Sequence, residues 1–209
     1  TAQDHKRVLE GDKGSNTGGM GAYSPSRLIN EKLEKKVLTK IIKPTINALK
    51  DMGSNYKGFL YAGLMIVDGE PFLIEYNVRM GDPETQVVLP RIKNDFLEMM
   101  ADTAKGSLKS IKLEIDESTF ANVVMVSGGY PEAYERGKKI IGLNTSHDSI
   151  VLHAGTKSEG HDVVTNGGRV LSVISKSTDF QSALEKSYKT INLIDFEGKY
   201  YRKDLGFDL

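Results

Sequence analysis

Hydrophobic and polar side chains alternate over residues 72–78, and this period of two predicts a β-strand. Successive side chains of a strand point to opposite sides, so one face can seal a core while the other presents polar groups. The apolar face carries Phe72, Ile74, Tyr76 and Val78, and the opposite face carries Leu73, Glu75, Asn77 and Arg79.

The segments that precede this strand have signals of their own. Residues 58–67 form an apolar run that ends in Asp68-Gly69, a dipeptide typical of tight hairpin turns. The two strands should therefore pair antiparallel. Further upstream, Asn30 is a suitable N-cap for a helix that Pro44 should kink or split.

A turn and a helix are predicted after the strand. Pro83 suits the first position of a helix, and Asp82 directly before it is a good N-cap. The pattern predicts one helix from Glu84 to about Lys105, bent at Pro90. Free N–H groups and the dipole at the start of such a helix favour anions.

The remainder of the chain combines short strands, glycine-rich turns and one packed helix. Strands are predicted over residues 121–126, 150–154 and 169–174. Thr178 and Gln181 form a capping box at the start of the helix. The pattern is α+β, and the change in texture over residues 106–118 indicates a domain boundary.

Glu75 and Asn77 are candidate metal ligands. They lie two residues apart on one strand face, so both oxygens can reach one Mg²⁺, which completes its octahedron with water and substrate phosphates. E-x-N alone is more typical of a solvated amphipathic strand. With Arg79 and the predicted helix start beyond it, the stretch predicts a phosphate site rather than a plain surface.

Two polar stretches near the start offer further candidates. Lys6 and Arg7 either belong to a solvated loop or clamp a phosphate. Residues 11–25 are rich in glycine, which lets backbone amides approach a ligand, but no standard nucleotide-binding motif is present and a flexible linker is the alternative. Specific side chains such as Asn16 and Thr17 favour ligand binding.

The composition excludes several classes of function. The 28 basic and 28 acidic residues balance, so no global field recruits nucleic acid or an anionic membrane. The absence of cysteine excludes disulfides, thiolate metal sites and cysteine nucleophiles. No apolar run approaches about 18 residues and no signal-peptide pattern is visible, so we expect a cytoplasmic protein.

Eight short motifs occur in the order found in one enzyme family. They are QDHKR, NTGGMGAYSP, GFLYAGLM, EYNVRMGDPETQ, GGYP, HAGT, TNGGRVL and RKDLG. On these motifs the chain resembles, over essentially its whole length, the phosphoribosylamine–glycine ligases (glycinamide ribonucleotide synthetases) of the ATP-grasp superfamily. Met80 replaces the family's usual phenylalanine but keeps a large apolar side chain.

The resemblance implies an ATP-dependent ligation in purine biosynthesis. ATP would phosphorylate glycine, and 5-phosphoribosylamine would attack the glycyl phosphate to give glycinamide ribonucleotide, ADP and phosphate, with Mg²⁺ or Mn²⁺ as the metal. The resemblance assigns metal binding to Glu75 and Asn77. It assigns catalytic roles to Arg79, Asp82 and Lys6, and substrate or phosphate binding to Arg7, Asn16, Thr17, Gly18, Gly19 and Glu84. Arg202 and Lys203 are weaker candidates.

The resemblance also implies a domain organisation. Residues 1–106 would form the C-terminal half of an ATP-grasp domain, an antiparallel sheet with helices, and residues 107–209 a small α+β C-terminal domain. The family's enzymes are much longer, so we expect a missing N-terminal half that carries most adenine contacts. Alone, the chain should not turn over, and it should expose strand edges and apolar surface.

Two other functions remain open. The first is an ATP-grasp carboxylate–amine ligase that uses a different acid, which exchange of glycine in an activity assay would reveal. The second is a non-catalytic nucleotide- or phosphosugar-binding module, which would bind its ligand without releasing phosphate. A purely structural role is the weakest alternative, because a plain core does not need so many glycines beside so many charges.

Overall fold

Helices and antiparallel strands make up the fold in the computed structural model, which describes residues 1–108, 111–145 and 148–207. The strands are β1 (Gln3–Asp4), β2 (Arg7–Leu9), β3 (Lys13–Asn16), β4 (Gly21–Ser24), β5 (Tyr61–Val67), β6 (Glu70–Asn77), β7 (Thr119–Val126), β8 (Ile150–His153), β9 (Thr156–Glu159), β10 (Asp162–Thr165) and β11 (Arg169–Ser177). The α-helices are α1 (Glu31–Val37), α2 (Lys43–Asp51), α3 (Thr85–Val88), α4 (Phe96–Lys105) and α5 (Phe180–Ile191). The predicted α+β class is confirmed.

The chain divides into two compact units. The sheet unit consists of Thr1–Pro25, Asp82–Arg91 and Glu117–Leu209, and the hairpin unit consists of Ser26–Gly81 and Ile92–Asp116. The sheet unit thus takes residues from both sides of position 106. The division into domains 1–106 and 107–209 stays a prediction.

The sheet unit is built on five antiparallel strands in the order β1-β4-β7-β11-β8. Every residue of the central strand β7 is buried. On one face Val123 and Val173 pack in a core with Ile191 of α5, and on the other Phe120 packs with Val87 of α3. A strand covered on both faces reads as a continuous apolar run, which explains how the sequence predicted β7.

The glycine-rich segment 11–25 is not one continuous loop, so that part of the prediction is wrong, while ligand binding by its residues stays a prediction. It contains β3, which pairs with β2, and β4, which is buried beside β7. A Cβ at Gly21 would lie 2.4 Å from Leu205 Cδ1 and 2.6 Å from the Asn122 carbonyl oxygen. Glycine therefore lets β4 pack closely in the sheet.

The last helix begins one residue later than predicted. Asp179, rather than Thr178, is the N-cap of α5, and its carboxylate accepts a hydrogen bond from Ser182 N at 2.8 Å. Phe180 and Ile191 of this helix are both buried.

In the hairpin unit the helix predicted after Asn30 is confirmed. Asn30 caps α1 through its side chain. A π-helical turn, Leu38–Ile42, separates α1 from α2, and Pro44 lies in the first turn of α2. None of the helices in the described residues combines the length and the apolar character of a membrane span.

The single helix predicted from Glu84 to about Lys105 is wrong. The chain forms α3 and a short 3-10 turn, becomes extended, and then forms α4. In the extended stretch Ile92 pairs with Ile115, and the Asp95 carboxylate caps α4. Strand-like pairing and a new N-cap outweigh helix propensity there, which local sequence alone does not show.

The strands β5 and β6 pair antiparallel through Asp68-Gly69, as predicted. Both turn residues have positive φ, 52° and 71°, as a mirror-image hairpin turn requires. The expected sealed face is absent among the described residues, because Phe72 and Ile74 are 57% and 63% exposed. There the two strands pair only with each other, and a bulge at Ile74 interrupts the alternation. The expected exposure of apolar surface is confirmed.

Candidate functional site

The predicted site residues fall into two groups, one in each unit. The sheet unit holds Lys6, Arg7, Asn16, Thr17, Gly18, Gly19, Asp82 and Glu84. The hairpin unit holds Glu75, Asn77 and Arg79. Each group is a separate arrangement with its own geometry.

A short loop with Thr17, Gly18 and Gly19 lies beside Lys6 in the sheet unit. The amides of all three loop residues donate within the protein: Thr17 N to Lys6 O at 2.8 Å, Gly18 N to Tyr130 Oη at 3.0 Å, and Gly19 N to Thr17 Oγ1 at 2.9 Å. The cradle of free amides that the glycines predicted is therefore wrong for these three residues. The hydrogen bonds instead give the loop one defined course.

Asp82 forms an ion pair with Arg169 and does not cap a helix. Arg169 Nη2 lies 2.8 Å from Asp82 Oδ2, and Arg169 Nη1 lies 3.2 Å from Oδ1. The Gln86 side chain also donates to Asp82 Oδ1 at 2.9 Å. With its carboxylate so engaged, Asp82 is not the N-cap of α3, which begins at Thr85 and spans only four residues. The predicted helix start at Pro83, capped by Asp82, is therefore wrong, and anion binding at this turn stays a prediction.

Arg169 had no predicted role. Besides Asp82 it binds the Gly18 carbonyl oxygen through Nη1 at 2.7 Å. A Cβ at Gly18 would lie 3.0 Å from Arg169 Cζ, so glycine makes room for the guanidinium. The signal was present, since Arg169 is the charged residue of the motif TNGGRVL, but nothing local indicates its partners.

Arg7 and Asn16 face each other across the β2–β3 pair, and both are exposed. Arg7 donates through Nη1 to Gly14 O at 2.8 Å, which keeps its guanidinium along this small hairpin. Their exposure leaves both side chains accessible to a solute.

Arg202, a weaker candidate, is fully buried in ion pairs. It contacts Asp12 at 2.6 Å and Asp204 at 2.8 Å. Burial alone would lower its pKa, but the hydrogen bonds to the two carboxylates raise the pKa of Arg202 above its usual range. The geometry therefore gives Arg202 a structural role.

Lys6 lies beside a buried carboxyl group. Its Nζ is 3.4 Å from Asp4 Oδ2, and the Asp4 side chain is only 6% exposed. Burial and the neighbouring Glu84 raise the pKa of Asp4 to about 7, against the opposing effect of Lys6 and Arg169. Asp4 belongs to the motif QDHKR, yet no role was predicted for it.

Glu75 and Asn77 lie together on β6 in the hairpin unit. Asn77 Nδ2 donates to Glu75 Oε1 at 3.3 Å, and rotation of the amide would bring Oδ1 to the same place. Opposite Glu75 is Gly63, where a Cβ would lie 3.1 Å from Glu75 Cγ, so glycine leaves room for the carboxylate. A carboxylate and an amide oxygen this close fit a Mg²⁺ ion, which needs few protein ligands. Arg79, two residues beyond the end of β6, is exposed and donates to Met80 O at 2.8 Å.

The sequence matches two domains of one family. Residues 1–85 match the family described as Phosphoribosylglycinamide synthetase, ATP-grasp (A) domain. Residues 120–208 match the Phosphoribosylglycinamide synthetase, C domain. Together the two matches cover most of the chain.

Similar proteins agree with these matches. A phosphoribosylamine–glycine ligase from Chlorobaculum tepidum is 46% identical over 209 residues, which are 99% of this chain and 49% of that protein. The crystal structure of the Thermotoga maritima phosphoribosylamine–glycine ligase has a TM-score of 0.86 and 35% identity, over 97% of this chain and 50% of its own. A phosphoribosylglycinamide synthetase structure from Anaerococcus prevotii shares the fold, with a TM-score of 0.62 and 16% identity over 93% of this chain and 48% of its own. The chain thus spans about half the length of the relatives it matches.

Proposed function

The chain belongs to the phosphoribosylglycinamide synthetase family, and on this premise we propose that it is part of an ATP-dependent ligase that joins glycine to 5-phosphoribosylamine. The observation that supports the proposal is that the side chains of Glu75 and Asn77 lie together on one strand, with Asn77 Nδ2 3.3 Å from Glu75 Oε1. The reaction would yield glycinamide ribonucleotide, ADP and phosphate in purine biosynthesis. A cytoplasmic location, with no nucleic acid or membrane partner, belongs to the same proposal.

The proposed reaction has two steps. The glycine carboxylate takes the γ-phosphoryl group of ATP, which releases ADP and gives glycyl phosphate; the amine of phosphoribosylamine then forms the amide bond, and phosphate leaves with loss of one amine proton. Glu75 and Asn77 would hold Mg²⁺ or Mn²⁺, which when bound neutralises charge on the phosphates. Arg79, two residues beyond Asn77, is assigned to the transferring phosphoryl group, since a guanidinium pairs well with phosphate oxygens.

The residues of the sheet unit supply substrate contacts in this proposal. Lys6 and Arg7 present exposed cations suited to phosphate or carboxylate groups. Asn16 and Thr17 offer polar side chains, and the loop through Gly18 and Gly19 keeps one course through its internal hydrogen bonds. Asp82 and Glu84 complete the set, Asp82 held by Arg169 and Glu84 buried.

The preceding half of the enzyme is the partner that the proposal requires. The relatives that match are about twice as long as the matched stretch. The exposed apolar side chains of β6, among them Phe72 and Ile74, are consistent with a surface that another segment covers. Because the proposed enzyme needs that preceding half, we expect no turnover by this chain alone.

Two alternatives keep the same residues but change the chemistry. A ligase for another acid would need the same metal ligands and would differ only in the contacts that select glycine. A binding module without turnover would keep Mg²⁺-dependent nucleotide binding. Neither is favoured by a specific contact in the described residues.

The test is ATP-dependent phosphate release with glycine and phosphoribosylamine, measured on the chain alone and with its preceding half restored. We expect turnover only in the restored enzyme, and a loss on the order of 100-fold or more in Glu75→Ala. The control Glu159→Ala removes an exposed carboxylate from β9 and should leave the rate unchanged. An unchanged rate in Glu75→Ala would contradict the proposed site, and equal rates with other acids would favour the first alternative.

A further inference from the structure

Asp4 is a buried carboxyl group that the proposed reaction does not use. It lies in β1 opposite Ala22 of β4, and its side chain is 6% exposed. Among the described residues neither carboxylate oxygen accepts a hydrogen bond. A buried polar atom without a hydrogen bond is costly, so its presence calls for a physical reason.

The groups that face Asp4 come from three segments of the sheet unit. Lys6, two residues along the chain, has its Nζ 3.4 Å from Asp4 Oδ2. Glu84, itself buried, opposes the charge of Asp4, while Arg169 of β11 favours it. Gly19 closes the site, because a Cβ there would lie 2.8 Å from Asp4 Oδ1. Asp4 is thus held in place by packing, with one cation in direct contact.

A purely structural role does not explain an acid at this position. Asparagine has nearly the same shape, lacks the cost of burying a charge and would not repel Glu84. Among the described residues, the cation in direct contact with the Asp4 carboxylate is the ammonium group of Lys6. The Lys6 side chain is 54% exposed, and Asp4 provides its one ion pair in the described part of the chain.

We propose that Asp4 is a positioning residue for Lys6: its buried carboxylate holds the exposed ammonium group in the orientation that meets an anionic group of the substrate. The inference rests on the proposed function, because that function assigns Lys6 to the substrate. A lysine side chain has many rotamers. An ion pair with a fixed carboxylate restricts these rotamers before substrate binds, so less side-chain entropy is lost on binding.

The pH dependence of the reaction follows from this arrangement. Asp4 gains a proton as the pH falls through about 7, and its attraction for Lys6 is then lost. Glu84 raises this midpoint, while Lys6 and Arg169 lower it. The rate should therefore decline on the acid side of about pH 7 in the wild type and lack that decline in Asp4→Asn.

The experiment is a double-mutant cycle on kcat/KM in the enzyme with its preceding half restored. At pH 8, Asp4→Asn and Lys6→Ala should each lower kcat/KM on the order of 10- to 100-fold. The double variant should lose no more kcat/KM than Lys6→Ala alone, because Asp4 acts only through Lys6. The control Asp162→Asn breaks the exposed pair with Lys139 and should behave as wild type. Thermal unfolding at pH 8 should show Asp4→Asn to be at least as stable as wild type.

Three kinds of result would contradict the proposed role of Asp4. Additive losses, an unchanged kcat/KM in Asp4→Asn, or an acid limb that persists in Asp4→Asn would overturn the positioning role while the ligase function stands. A marked loss of stability in Asp4→Asn at pH 8 would show a structural role instead. A restored wild-type enzyme that releases no phosphate would contradict the proposed function itself, and with it any role of Asp4 in that reaction.

Discussion

Arg169 joins segments of the sheet unit that lie far apart in the sequence. It binds the Gly18 carbonyl oxygen at 2.7 Å and forms a two-point ion pair with Asp82. Both partners belong to the proposed substrate contacts. A single planar guanidinium therefore sets the position of two candidate site residues at once.

Replacing Arg169 by lysine should weaken both connections. Lysine keeps the charge but lacks the planar fork, so it cannot serve Asp82 and Gly18 together. We expect Arg169→Lys to lower the free energy of unfolding by about 1–3 kcal/mol, measured by urea unfolding of this chain. Arg136→Lys, which alters a cation near the Tyr134 ring, is the control and should change it far less. Equal effects in the two variants would contradict the role given to Arg169.

The raised pKa of Asp4 predicts how stability depends on pH. Its pKa of about 7 in the folded state exceeds the ordinary value of 3.8, so between these values the folded protein holds a proton that the unfolded chain has lost. Stability should therefore fall as the pH rises from about 4 to about 7, by up to about 1.4 kcal/mol per pH unit. Urea unfolding of wild type and Asp4→Asn across this range should give curves that diverge. Parallel curves would show that Asp4 has an ordinary pKa.

The loop through Gly19 packs closely against Pro83. Gly19 has φ of 115°, and a Cβ there would lie 2.2 Å from Pro83 Cδ. Gly53, which follows α2, also has positive φ, 82°, but a Cβ there would meet nothing within 4 Å.

These two glycines form a matched pair for mutation. Gly53→Ala should cost about 1 kcal/mol of unfolding free energy, from backbone strain alone. Gly19→Ala adds a steric clash with Pro83 and should cost at least about 1–3 kcal/mol more. Thermal or urea unfolding compares the two directly. A Gly19→Ala variant as stable as Gly53→Ala would mean that this loop is not packed as described.

Local sequence signals predicted the elements whose causes are local. The Asp68-Gly69 turn, the Asn30 cap and the buried run of β7 each follow from neighbouring residues, and each is confirmed. The failures have distant causes. Asp82 does not cap a helix, because its carboxylate is paired with Arg169, 87 residues away.

Partners distant in the chain also explain what was missed at the candidate site. The sequence placed Glu75 and Asn77 on one strand, where the structure has them within 3.3 Å. No role was predicted for Asp4 or Arg169. The burial of Asp4 and the ion pair of Arg169 depend on residues distant in the sequence, which a local pattern does not reveal. The glycines of residues 11–25 suggested open loop, whereas Gly21 serves close packing in β4.

At the scale of the whole molecule, the chain spans about half the length of its relatives and exposes apolar surface on the hairpin unit. Several large apolar side chains there are about half exposed or more: Met65, Phe72, Ile74, Val78 and Leu97. Surface of this kind promotes association when nothing covers it.

The chain alone should therefore self-associate. Sedimentation velocity over increasing concentration should show growing oligomers, and Ile74→Lys, which places a charge on β6, should reduce them. Leu193→Lys is the control, because Leu193 is 46% exposed but lies in the sheet unit. With the preceding half restored, wild type should no longer associate through this surface. A chain that stays monomeric at all concentrations would contradict the expectation.

We propose above that these residues serve a ligase that joins glycine to phosphoribosylamine. The most direct measurement is mass spectrometry of the product formed from ¹³C-labelled glycine, ATP, Mg²⁺ and phosphoribosylamine by the restored enzyme. We expect a labelled glycinamide ribonucleotide that requires ATP and is lost in Glu75→Ala. A restored, folded enzyme that binds ATP but forms no labelled amide would contradict it.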